Sequence, residues 1–341
     1  MSQRYPGNIV RATPLTPAGP FQSGAAPGIW TLDQAQYWLK QGLWPIAGNV
    51  PVGTTGIFAL GATNAGKVTT RDKYTFSGCT VTSGGAATAA SCSGSAAGNT
   101  TLGIFALGCV SGGTTTRNKY TYSGDTVGSA TAATASSYAG SAAGTSTVGI
   151  FALGAGPSTT RNKYTYSGDT VSTGGAASTA SYYGAAAGNS TRGIFALGSN
   201  NCGQLSTRDK YTYSGDTVSS ATAASAASFR GAAVGDSTKG IFALGQALPS
   251  NCSVTTRDRY TYSGDTVAAG GAATVKSFKG SAAGNATVGI FALGGAGCFG
   301  ANSTTRNKYT YSGCVVAAGG AASTASSYGS AASNGTTGVN A

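Results

Sequence analysis

Gly103-Ile104-Phe105-Ala106-Leu107-Gly108, then a loop, then Arg117-Asn118-Lys119-Tyr120-Thr121-Tyr122-Ser123-Gly124-Asp125 is the stretch from which the fold is read. The first part is an apolar run of strand length between glycines. The second alternates, with Arg117, Lys119 and Thr121 on one face and Asn118, Tyr120 and Tyr122 on the other, which is the period of a strand. Ser123-Gly124-Asp125 supplies a tight turn, and Thr126-Val127 begins another strand. A small-residue segment follows, as in residues 176–188 of a later copy, and the apolar run then returns. Its copies begin at Gly56, Gly103, Gly149, Gly193, Gly240 and Gly289, at spacings of 47, 46, 44, 47 and 49 residues.

Six copies at such a period imply one architecture built from one supersecondary unit. No copy carries a helical apolar period, so the body is read as all-β. Four antiparallel strands at roughly this repeat length is the pattern of a β-propeller blade. The phase of the copies adds to this. The first complete unit opens at the apolar run, whereas the last ends after the small-residue segment 321–333. That final segment is expected to complete the sheet whose other strands come from residues 56–82, closing a six-bladed ring without a free edge. Residues 51–341 are assigned to the ring and residues 1–50 to an arm. A β-solenoid fibre is the competing geometry.

Composition narrows the chemistry. The 341 residues include 55 Gly, no His and nine acidic residues, all of them Asp, against 21 Lys and Arg, for a net charge of +12. Histidine-based catalysis is therefore excluded, and a pair of convergent carboxylates or a hard-metal cage is poorly supplied. The reading is of a non-enzymatic protein with no cofactor and no metal. Seven Cys lack paired metal-ligand spacing, and reduced thiols are expected. No stretch approaches the roughly 18 apolar residues of a membrane span, and residues 1–10 do not read as a leader.

The units resemble kelch-type repeats. The apolar run stands where those have a strand ending in glycines, and Lys-Tyr-Thr-Tyr where they have an aromatic third strand. The double glycine survives only at Gly294-Gly295, and Val127 and Val171 replace the fourth-strand Trp. Kelch-type rings mostly bind partners. The few that are copper enzymes use His ligands absent from this sequence.

The basic pairs Arg71/Lys73, Arg117/Lys119, Arg161/Lys163, Arg208/Lys210, Arg257/Arg259 and Arg306/Lys308 account for 12 of the 21 cations. A ring of cations could meet nucleic acid, lipopolysaccharide phosphate or acidic glycans. Arg recurs in every copy while surface positions drift between copies, so stitching of neighbouring blades by stacking and hydrogen bonding is favoured, and a nucleic-acid partner is not expected. The tyrosines are read as inter-sheet packing with hydrogen-bonded hydroxyls. Asp125, Asp169, Asp216 and Asp265 are read as turn formers rather than calcium ligands. Cys79 and Cys314 take the same turn position in the first and last units, where a disulfide across the seam is one option. The longest variable loops, 246–254 and 295–302, make Gln246, Asn251, Phe299 and Asn302 candidate ligand-binding residues, with a surface glycan as the candidate ligand.

Seven of the nine Pro and all three Trp lie in residues 1–51. Thr31-Leu32-Asp33-Gln34 reads as a capping box opening a helix at about 31–41. Trp30, Leu32, Trp38, Leu39 and Trp44 form a candidate docking surface for a partner protein. Met1-Ser2-Gln3-Arg4-Tyr5-Pro6-Gly7, residues 26–34 and residues 37–45 resemble the N-terminal segment of structural proteins of tailed bacteriophages, especially cyanobacterial ones. The resemblance implies attachment to a virion, with residues 1–50 docking on other virion proteins; production in the host cytoplasm and several copies per particle are the accompanying expectations. The expectation is a tail fibre or baseplate accessory for host adhesion, with a head decoration protein and a carbohydrate-active propeller enzyme as alternatives.

Overall fold

The structure is a computed structural model that describes residues 14, 16–17, 26, 28–41, 43–44, 53–249, 252–297 and 300–335. The chain divides into two compact units, Met1–Val52 and Gly53–Ala341.

In the first unit a helix, α1, spans Leu32–Lys40. Its start is fixed by the capping box: the Gln34 amide donates to Thr31 Oγ1 at 3.3 Å, and the Thr31 amide donates to Gln34 Oε1 at 3.0 Å. Asp33 in the first turn and Lys40 in the last complement the helix dipole.

The second unit is all-β, with six four-stranded antiparallel sheets. The second sheet shows the plan: Ser95–Gly98, Leu102–Ala106, Arg117–Thr121 and Thr126–Ala130 lie side by side in that order. Register places Ala96 opposite Phe105, Phe105 opposite Asn118, and Tyr120 opposite Val127. The first sheet draws on both ends of the repeat region. Ser330–Ser333 pairs with Thr55–Ala59, which pairs with Arg71–Thr75 and then Thr80–Gly84. The pairing runs from Gly56 opposite Ser333 to Ala59 opposite Ser330.

The small-residue strand is fully buried in every sheet. Its composition follows from crowding, since these strands pack on one another and leave room for little beyond Ala, Ser and Gly. Before each one stands a glycine that admits no side chain. A Cβ on Gly140 would lie 2.3 Å from the Ala152 carbonyl oxygen, and one on Gly231 would lie 2.0 Å from that of Ala243.

Each sheet packs on the next through a Phe from the apolar run. Phe105 of the second sheet meets Ile57 and Ala332 of the first, and Phe151 of the third meets Ala97 and Ile104 of the second. Phe195, Phe242 and Phe291 continue the series. Phe58 of the first sheet packs against Ala283 and Ile290 of the sixth, so the packing returns to its start. Burial of each Phe contributes about 1.5–3 kcal/mol. The arrangement is propeller-like, with stability approximating a sum of equivalent interfaces.

Candidate functional site

The six arginines that open the third strands are buried between sheets. Each guanidinium donates from Nη2 to an Asx side chain one sheet onward: Arg71 to Asn118 at 3.0 Å, Arg117 to Asn162 at 3.1 Å, Arg161 to Asp209 at 2.8 Å, Arg208 to Asp258 at 2.7 Å, Arg257 to Asn307 at 3.0 Å, and Arg306 to Asp72 at 2.7 Å. Each also covers the Phe of that next sheet, from 4.3 Å for Arg257 over Phe291 to 4.7 Å for Arg117 over Phe151 and Arg208 over Phe242. Burial lowers the pKa of all six. Where the partner is Asp the carboxylate opposes that shift; where it is Asn no such charge does, and Arg71, Arg117 and Arg257 fall to about 10.

The second cation of each pair makes a parallel cycle nearer the surface. Lys73, Lys119, Lys163 and Lys210 donate to Asp125, Asp169, Asp216 and Asp265 of the next sheet at 2.7–2.8 Å. In the last two steps sulfur replaces carboxylate: Arg259 Nη1 lies 3.2 Å from Cys314 Sγ, and Lys308 Nζ lies 3.7 Å from Cys79 Sγ. The twelve cations are thus engaged between sheets and do not form a presented basic ring. Cys79 and Cys314 are free thiols, each held by a basic residue rather than by the other. Asp125, Asp169, Asp216 and Asp265 have positive φ at the turn, between 47° and 51°, and no group of three possible metal ligands occurs among the described residues.

Several expectations need correction. Tyr120, Tyr164, Tyr211 and Tyr260 do donate their hydroxyls, to Asp125, Asp169, Asp216 and Asp265. The next tyrosine of each strand does not: the hydroxyls of Tyr122, Tyr166, Tyr213, Tyr262 and Tyr311 are buried without a partner among the described residues, wedged against the glycines of the inner strands. The long loops are not open ligand sites at the two candidate residues described. Gln246 is buried in a small sheet and accepts from Arg230 Nη1 at 3.1 Å. Asn302 donates to the Ala62 carbonyl at 3.3 Å and to Asn64 Oδ1 at 3.2 Å, tying the last repeat to the first. Asn251 and Phe299 lie outside the described residues. Cys252 is disulfide-bonded, against the expectation of reduced thiols.

In the first unit Trp30 is buried. Its Nε1 donates to the Ala26 carbonyl at 3.0 Å, and its ring meets Trp44 edge-on at 5.2 Å. Trp38 is half-buried and stacks edge-on with Tyr37 at 5.1 Å. Among the described residues of this unit the large apolar side chains left in solvent are Ile29, Leu32, Tyr37 and Leu39; Leu32, 73% exposed, and Leu39, 49% exposed, belong to the expected docking surface, whereas its tryptophans are covered or half-covered. Leu32 and Leu39, seven apart, share one helix face.

The feature that sequence reasoning missed lies where the six inner strands begin. Ser93, Ala139, Tyr183, Arg230, Lys279 and Tyr328 each precede one of the crowding glycines, and all six hold left-handed backbones, with φ between 54° and 60°. They form a closed circle of backbone hydrogen bonds. The Ala139 amide donates to the Ser93 carbonyl at 2.7 Å, Tyr183 to Ala139 at 2.8 Å, Arg230 to Tyr183 at 3.0 Å, Lys279 to Arg230 at 2.8 Å, Tyr328 to Lys279 at 2.8 Å, and Ser93 to Tyr328 at 2.8 Å. At this circle lies a shallow open cup of about 40 Å³, lined by these six residues and their glycines.

The side chains of the cup differ from repeat to repeat, whereas their surroundings are nearly constant. Arg230 stacks on Tyr183 and Phe229, 4.7 Å from each ring centroid. Lys279 lies 4.6 Å from the Phe278 ring and 4.3 Å from that of Tyr328. Burial and then the Arg230 charge lower the Lys279 pKa, and burial raises those of Tyr183 and Tyr328, which stay protonated as donors. Ser93 and Ala139 occupy the other side with little bulk. The signal was available in the sequence as the column before the invariant glycine of each small-residue segment, which reads Ser, Ala, Tyr, Arg, Lys, Tyr.

The chain matches no protein-family model, and no curated protein is similar to it.

Proposed function

We propose that this chain is a non-enzymatic phage virion protein whose second unit is a six-bladed, kelch-like β-propeller closed by strand sharing, held on the particle by its first unit. The ring then serves host adhesion, as a tail fibre or baseplate accessory. The observation that carries this reading is the distribution of exposed large apolar side chains. Of seven such residues among those described, four fall within residues 29–39, on and beside one short helix. Such a surface suits docking to a partner protein. The circle of hydrogen bonds and the sheet shared by residues 55–59 and 330–333 support the closed ring. The phage-like N-terminal motif supports the particle.

Incorporation tests the reading. Leu32→Asp with Leu39→Asp changes solvent-facing residues, so the chain should fold as before yet be depleted from assembled particles at least tenfold. Deletion of residues 1–45 should do the same. Unchanged incorporation of both variants refutes the arm. Antibody labelling confined to the tail supports the fibre or baseplate placement; a pattern across the whole shell rejects it in favour of head decoration.

A further inference from the structure

The cup contains two cations that no carboxylate among the described residues meets. All nine Asp of the chain are placed. Asp33 opens the helix, Asp72, Asp209 and Asp258 pair with buried arginines, Asp125, Asp169, Asp216 and Asp265 pair with lysines, and Asp236 caps a turn by accepting from the amides of Thr238 and Lys239. None is left for Arg230 and Lys279. Two like charges held in adjacent positions of one depression, with aromatic walls that limit their hydration, create a focused positive field. The Arg230 Nε is buried and without a hydrogen-bond partner among the described residues, while its Nη1 donates to Gln246.

The floor sharpens the argument. The amides and carbonyls of its six left-handed residues are satisfied by one another around the circle, so these amides donate nothing to a ligand. The charge that recognises a ligand then comes from side chains: the Arg230 guanidinium, whose Nη1 also donates to Gln246, and the Lys279 ammonium, beside the hydroxyls of Tyr183, Tyr328 and Ser93. Aromatic rings beside two cations suit a pyranose bearing a negative group, since the sugar packs against the aromatic side chains while the anion is held by charged hydrogen bonds. The small residues Ser93 and Ala139 leave the opposite side free for the body of such a sugar.

We propose that the cup binds an anionic sugar residue, its carboxylate or sulfate held by Arg230 and Lys279 and its ring set against Tyr183 or Tyr328. This deepens the adhesion reading and rests on it, because it names the chemistry of the surface the ring would recognise.

The test is calorimetric titration of the intact chain with trigalacturonate, with neutral galactotriose of the same length, with a galactose trisaccharide carrying sulfate esters, and with inorganic sulfate. One of the two acidic trisaccharides should bind at least tenfold more tightly than the neutral one, and which does so decides between carboxylate and sulfate. Arg230→Ala and Lys279→Ala install the residue that Ala139 already supplies at the equivalent place, so folding is preserved, and together they should weaken binding at least tenfold. Lys276→Ala, on the exposed surface outside the cup, should change nothing. Equal binding of neutral and acidic sugars, no binding of either acidic sugar, or retention of affinity in the double variant overturns the proposal. Binding of inorganic sulfate with no gain from the attached sugar overturns the sugar and leaves a bare oxyanion site. The measurement uses isolated protein, so its failure is separable from failure of particle incorporation.

Discussion

Six equivalent arginines with two kinds of partner give an internal comparison of buried charge. Arg306→Met removes a guanidinium that donates to Asp72 at 2.7 Å, with both side chains essentially excluded from solvent. Among the described residues Asp72 retains the Ser323 amide and hydroxyl as donors, so a buried carboxylate is left without its counter-charge, at a cost of about 3–5 kcal/mol. Arg117→Met removes a guanidinium whose partner is neutral. Asn162 keeps both of its bonds to Thr134, and the departing arginine had left its Nε and Nη1 unpaired. The lost hydrogen bond from a charged donor, about 1.5–3 kcal/mol, is largely offset by relief of an uncompensated buried charge, so the change should stay within about 1 kcal/mol. The cation–π contacts cancel between the two variants, at 4.6 Å over Phe58 and 4.7 Å over Phe151. Urea denaturation should therefore separate them by about 3 kcal/mol, roughly a 1 M difference in midpoint. Adding Asp72→Asn to Arg306→Met should return most of the loss. Equal costs for the two single variants, or no recovery in the double variant, would refute the argument from charge pairing.

Acid should act through the four turn carboxylates. Burial pushes Asp125, Asp169, Asp216 and Asp265 up, but the lysine ammonium and the tyrosine hydroxyl on each, joined by a threonine amide on Asp169 and Asp265, hold all four below the ordinary value. Depressed carboxylates supply stability that is present above about pH 4 and lost as pH falls through their folded values. Urea midpoints should be level from neutral pH to about 5 and fall below 4, and Asn at all four positions should flatten that fall while lowering the midpoint at pH 7. Gly103→Ala places a Cβ 2.9 Å from the Tyr122 hydroxyl and 3.2 Å from Ala332 Cβ, and should cost about 1–3 kcal/mol in denaturation. Gly128→Ala meets nothing within 4 Å in an exposed strand and should be neutral or stabilising by up to about 1 kcal/mol. Cys92 and Cys109 are free thiols exchanging backbone hydrogen bonds of 3.2 and 2.8 Å, a pairing whose Cα separation suits a disulfide. Diamide should join them with loss of two hydrogens by mass spectrometry; two persistent free thiols would contradict that geometry.

Much of the fold was legible because its two signals are local. The alternation of Arg117 through Tyr122 and the glycine-bounded apolar run specify strands wherever they recur, and the offset of residues 321–333 from the first unit shows which sheet lacks a strand. The Asx at the second strand position was not recognised as the arginine acceptor. Asn118 faces away from Arg117 in its own strand, and the partner of each arginine lies one repeat later. The cup was hidden for a different reason. A left-handed position gives no periodic signature, and Ser93 or Ala139 blends into a tract of small residues, so only superposition of all six copies isolates the column that varies. The variable loops misled in the opposite sense: unequal length suggested openness, yet Gln246 and Asn302 are held by bonds that brace neighbouring segments.

The sheet assembled from both ends has a kinetic consequence. Gly56 meets Ser333 across 277 residues of chain, so its strand emerges early in synthesis and waits through five further repeats for its neighbour. During that interval an unsatisfied flank remains open to capture by another nascent copy. Slow elongation or crowded ribosomes should thus favour interlocked oligomers, in which the terminal latch of one molecule fastens the next.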